Sequence, residues 1–186
     1  MKRLASLSLL ALLSGCASLS ESECRTGDWY GIGLRDGQAG RDSQIAQHAE
    51  ACAELGIKPR LDLYNRGRTE GLRSYCTPEN GYRVGLAGSA SGNICPAENQ
   101  AAFLAAYQRG YERYRLQRDL DDLDRRIEQR ATERGKLEEK IATAKDEKDR
   151  RRWLRDLDDL NRQQSYDRRK RDDLRWQLRQ EPEYRY

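Results

Sequence analysis

The apolar positions of this chain follow helical rather than strand periods, and they do so in two different ways. From residue 115 onward the apolar residues are sparse and heptad-like. Leu116, Leu120, Leu123, Ile127, Leu137, Ile141 and Ala144 fall on one series of alternating four- and three-residue steps, with Arg130 and Arg134 at its centre. Trp153, Leu157, Leu160, Leu174 and Leu178 form a second series, with Gln164, Asp167 and Arg171 at its centre. The two are out of phase across residues 145–152. A fold-back near residue 148 sets Leu137 against Leu160, Leu123 against Leu174 and Arg130 against Asp167, so apolar meets apolar and basic meets acidic. This pattern predicts an antiparallel helical hairpin over 115–180 with a polar middle layer that selects its register. Asp146 offers the start of the returning helix.

Residues 28–114 carry a different pattern, in which glycine takes the place of the apolar face. Asp28 can cap a helix running through to Gly56 and Pro59. A second helix is expected over 61–75, a third over 82–90 after the turn signals Pro78 and Asn80-Gly81, and a fourth from about Glu98. Within them Gly33, Gly37 and Gly40, Gly67 and Gly71, and Gly81, Gly85 and Gly88 recur at three- and four-residue steps. A mid-helix glycine costs up to about 1 kcal/mol against alanine, so a stripe of them implies close helix packing. A tyrosine precedes a glycine by one turn at Tyr30, Tyr64, Tyr82 and Tyr107, and each ring is expected to cover the groove with its hydroxyl near water.

Composition separates the same two regions. Thirteen of the fifteen glycines lie between Gly27 and Gly110, whereas 41 of the last 72 residues are charged. The organisation expected is therefore a leader over 1–15, a tether over 16–27, a Gly/Cys-rich helical domain over 28–114, the hairpin over 115–180 and a tail over 181–186. The fold class is all-α: a small disulfide-stabilised bundle followed by a long coiled-coil hairpin.

The leader changes the chemical picture most. Lys2 and Arg3 precede a short apolar run that ends in Leu13-Ser14-Gly15-Cys16, a tetrapeptide that resembles the bacterial lipobox. Cys16 is then the lipidation site, and its acyl chains bind the lipid bilayer. Ala17 rather than aspartate follows it, which favours the outer membrane, with the protein facing the periplasm. Loss of the leader lowers the formal charge from +4 to +2, so basicity is no argument for nucleic acid.

Cys24, Cys52, Cys76 and Cys95 remain, an even number in an oxidising compartment, which predicts two disulfides. Of three pairings, helices alternating down and up favour Cys52–Cys95 with Cys24–Cys76. A straight first helix would hold Cys24 and Cys52 about 40 Å apart. No CxxC pair suggests a metal, and no cofactor is expected.

The ordered run Cys24, Asp28-Trp29, Gly33, Asp36-Gly37, Gly40, His48, Cys52, Tyr64, Gly67, Gly71-Leu72, Tyr75-Cys76-Thr77-Pro78, Gly81, Gly85, Gly88, Cys95-Pro96 and Ala106-Tyr107 resembles the bacterial lipoprotein family catalogued as domain of unknown function 2799. The resemblance spans roughly residues 20–115. It implies an envelope lipoprotein and brings no catalytic residues with it.

Candidate chemistry is thin. His48, the single histidine, is one turn before Cys52 and reads as a helical histidine packed near a disulfide. Asp28 reads as a cap, and Asp36 and Glu70 as solvated helix faces, so a hydrolase is the third reading. The first is a non-catalytic structural or protein-interaction role with an envelope protein or cell-wall component as partner. The second is a module binding cell-wall glycan or peptide on a surface of Trp29, Tyr64 and Tyr82, with His48 beside it.

Overall fold

The structure, a computed structural model, describes residues 18–180; the leader, Cys16 and the tail lie outside the described residues. Among the described residues every regular element is helical. In order they are α1 (Glu21–Thr26), α2 (Trp29–Gln38), α3 (Ile45–Ala51), a single 3-10 turn at Ala53–Leu55, α4 (Leu61–Tyr75), α5 (Pro78–Leu86), α6 (Ala97–Thr143) and α7 (Glu147–Gln180). The helix caps are largely local and chemically ordinary. Asp28 accepts the Gly31 amide at 2.9 Å to start α2. Thr77 accepts the Asn80 amide with Pro78 at the first helical position of α5. Gly56, at φ +67°, ends the 3-10 turn.

Three boundaries differ from the sequence expectation. The segment 28–55 is not one helix: α2 stops at Gln38, and Gly40 at φ +64° turns the chain before α3 begins. Residues 20–26, expected within a tether, form α1 with a full capping box between Ser20 and Glu23. The third helix begins at Pro78, so Asn80-Gly81 lies inside it rather than in a turn.

The chain divides into two compact units. The first holds residues up to Cys76 together with Ile94–Ala97, and the second holds Thr77–Asn93 and everything from Glu98 onward. The Gly/Cys-rich region is therefore shared between units, and α6 runs unbroken through residue 115. In the first unit α2 and α4 cross closely, and Leu19, Cys24, Trp29, Ile32, Cys52 and Tyr64 form one buried cluster.

In the second unit α5 packs on the first part of α6, whose remainder pairs with α7. Leu120, Leu123 and Leu174 make the buried seam there, flanked by Leu116 and Leu178, in the register expected from the heptads. The fold-back is at residues 144–146, where the Asp146 carboxylate accepts the Lys148 amide at 2.6 Å and opens α7.

The disulfides are Cys24–Cys52 and Cys76–Cys95, not the pairing expected. The break at Gly40 brings α3 back beside α1, so the long axial separation that argued against Cys24–Cys52 never arises; its Cα atoms are 5.6 Å apart.

Candidate functional site

The glycines explain how the helices come together. An added Cβ at Gly33 would overlap the Tyr64 carbonyl, one at Gly37 the Arg68 carbonyl, one at Gly67 the Tyr30 carbonyl and one at Gly71 the Leu34 carbonyl. α2 and α4 therefore meet backbone to backbone, each with two glycines at the crossing.

In the second unit Gly81 meets Phe103, Gly85 meets Tyr107, and Gly110 meets Tyr82 in the same way. Gly40 and Gly88, expected in the packed stripes, instead sit just past α2 and α5 at positive φ, under the rings of Tyr75 and Tyr114.

These contacts expose an internal repeat. Gly33, Gly37 and Gly40 stand to α4 as Gly81, Gly85 and Gly88 stand to α6. Tyr64, Gly67, Gly71 and Tyr75 correspond at a constant offset to Phe103, Ala106, Gly110 and Tyr114. On this correspondence Asp36 matches Val84, and Tyr64 matches Phe103. The same helix pairing thus occurs twice, once with an acid and a phenol at two packed positions and once with two apolar side chains.

Asp36 is the centre of the polar version. It is 4 % exposed, and its Oδ2 accepts the Tyr64 hydroxyl at 2.8 Å and lies 2.9 Å from His48 Nε2. Arg41 approaches Oδ1 at 3.5 Å from the surface side. Tyr64 Oη in turn accepts the Gln44 amide at 2.9 Å while donating its own proton to Asp36. Burial pushes the Tyr64 phenol above its ordinary range.

Because the Asp36 oxygen accepts, the tautomer of His48 that fits is the one with hydrogen on Nε2. Its Nδ1 faces the Ser18 hydroxyl at 2.9 Å. A chain of contacts therefore runs from the α3 entry through Tyr64, Asp36 and His48 to the first described residue.

Each residue singled out in the sequence now has a place. Trp29 and Tyr64 are 2 % and 0 % exposed, so they offer no stacking surface; only Tyr82 of that set is partly accessible. Tyr64 keeps its hydroxyl in a buried network rather than near water. His48 is buried one turn before the Cys24–Cys52 bridge, and its side-chain partners are Asp36 and Ser18.

Asp36, expected on a solvated face, is an interior acceptor. Its position between Gly33 and Gly37 on the packed side of α2 was the available signal. Ser18 had none, because its partner is thirty residues away. Among the described residues the most exposed aromatic rings are Tyr30 and Tyr111, and on α7 Tyr166 and Trp176.

The hairpin carries its own buried charge. Asp167 is 3 % exposed and pairs with Arg130, while Arg126 Nε lies 3.7 Å from it. The Gln164 amide donates to the Ile127 carbonyl at 3.5 Å, and Arg134 lies 3.5 Å from Glu138 on its own helix. Among the described residues no His, Cys, Asp and Glu side chains group as a metal site, and no helix is long and apolar enough to cross a membrane.

No curated protein and no solved structure matches the chain. Residues 28–112 match the family model described as Protein of unknown function (DUF2799), a span that takes in α2 to α5 and the start of α6, both glycine crossings and the side chains of Asp36, His48 and Tyr64.

Proposed function

We propose that the protein is a lipid-anchored component of the bacterial envelope, held through Cys16 at the outer membrane and facing the periplasm, with a non-catalytic structural or protein-interaction role. The lipobox-like Leu13-Ser14-Gly15-Cys16 carries the anchoring part of this reading. Two disulfides within the first unit support export to an oxidising compartment. The interaction part is supported by α7, which leaves Leu154, Tyr166 and Trp176 in water at 46 %, 60 % and 58 % exposure on an otherwise charged helix. Glycan stacking on Trp29 and Tyr64 is not carried forward, because both rings are interior.

Anchoring is tested with Cys16→Ser, which should leave the membrane fraction or remain unprocessed; recovery with membranes at the mature size refutes it. The interaction role is tested with a photo-crosslinking residue at Tyr166 or Trp176 in intact cells. A discrete protein adduct is expected, and cell-wall fragments alone or no adduct at either position refutes it.

A further inference from the structure

The buried network raises a question that packing does not answer. Burying an acid and a phenol is costlier than burying apolar side chains, and the second helix pair of this same chain makes the same crossing with a half-buried Val84 and a buried Phe103. Asp36 and Tyr64 must therefore be needed for what they bind. Besides each other, they hold Arg41, the Gln44 amide and the His48 ring. The far nitrogen of that ring holds Ser18.

The N-terminal arm is built into the fold at each of its first three described residues. Ser18 meets His48, Leu19 is 6 % exposed within the core, and Ser20 caps α1. Only Ala17 stands between this arm and Cys16. Two Cα steps span at most about 7 Å. The polar layer on each side of a bilayer is itself about 5–8 Å deep. An acylated Cys16 at the base of that layer therefore leaves Ser18 no slack to rise clear of it.

We propose that the surface of the first unit that bears Ser18 and the opening turn of α1 is apposed to a phospholipid bilayer. His48, oriented by Asp36 and Tyr64, is the positioning residue that keeps the arm folded there. This rests on the lipidation of Cys16 proposed above. The partner is the lipid headgroup layer, and the apposition comes from the anchor rather than from anionic lipid. Charges along α1 are paired, Glu21 with Arg25 and Glu23 with Arg35, each at 2.7 Å. The domain is pinned on the membrane rather than tethered above it.

The test uses the full lipidated chain, with a fluorescent amino acid at the exposed Ser22, in phosphatidylcholine vesicles that contain nitroxide-headgroup lipid. A control inserts a glycine/serine linker of about 20 residues between Ala17 and Ser18, long enough to lift the unit by roughly 25 Å. Quenching in the native chain should exceed that in the linker variant several-fold and should not change when phosphatidylglycerol is added.

Quenching equal to the linker variant, with the acyl group confirmed on Cys16 by mass, overturns the apposition alone. Absence of the acyl group overturns the anchoring reading as well. For the clamp, His48→Phe should speed hydrogen exchange at Leu19 and Ser20 while the α2 and α4 amides keep their protection. Faster exchange throughout α2 and α4 would make His48 a core support and end its assignment to the arm.

Discussion

The internal repeat supplies its own reference for a stability experiment, since the residues to introduce at Asp36 and Tyr64 already stand at the matching positions Val84 and Phe103. Tyr64→Phe removes one of two hydrogen bonds to Asp36 Oδ2 and the acceptor of the Gln44 amide. A bond to a charged acceptor contributes about 1.5–3 kcal/mol, so a loss of about 2–3 kcal/mol is expected. Asp36→Val leaves two buried donors, Tyr64 Oη–H and His48 Nε2–H, without an acceptor, and should cost about 3–5 kcal/mol.

The double variant leaves His48 and the Gln44 amide without these partners, so its cost should be about 2–4 kcal/mol rather than the sum of the singles, about 5–8 kcal/mol. That implies a coupling of about 3–4 kcal/mol. Trp29 lies in the core of the first unit, so urea unfolding followed by its fluorescence, with Trp153 and Trp176 replaced by phenylalanine, reports this unit separately from the hairpin. Additivity of the two single costs within about 0.5 kcal/mol would refute the view that Asp36 and Tyr64 act as one unit.

In the hairpin, Arg130→Asp should destabilise by about 1–3 kcal/mol by setting two carboxylates together at a partly buried layer, and Asp167→Arg on the same chain should recover part of it; thermal melting of both variants checks this. Recovery should be incomplete because Arg126 also borders that site. Gly37→Ala should lose about 1–3 kcal/mol because the new methyl meets the Arg68 carbonyl. Gly135→Ala, in open space on α6, should gain up to about 1 kcal/mol in the same denaturation assay. The backbone bond from Ser20 holds the Glu23 carboxyl below its ordinary range. Its contribution should thus be complete above the unfolded value near 4.5 and fade as pH falls through the folded one. Glu23→Gln should flatten that part of the pH–stability curve.

Local signals account for most of what was legible before the structure. Asp28 caps where an Asx residue ahead of a helix should, α4 covers the span 61–75, and Asp146 opens α7. The hairpin register was also readable, because a heptad seam encodes its partner through pairs such as Leu123 with Leu174 and Arg130 with Asp167. The glycine stripes announced close approach for a related reason: glycine is disfavoured in a helix, and backbone contact is what makes its choice intelligible.

What depended on the tertiary structure was every decision made across long stretches of chain. Gly40 could have been one more packing glycine; its positive φ, which no sequence period reveals, breaks the first helix and with it reverses the disulfide pairing. Asp36 carries the same formal charge as any surface aspartate, and only the crossing with α4 buries it against Tyr64 and His48. The repeat itself was hidden because the second copy keeps the shape of the crossing and discards its polar chemistry. Helix periods and caps are properties of a few neighbouring residues and are written locally. The partner of a cysteine, a buried acid or a serine near the chain start is set by where the backbone returns in space, and for this protein that was decided by how closely glycine lets two helices meet.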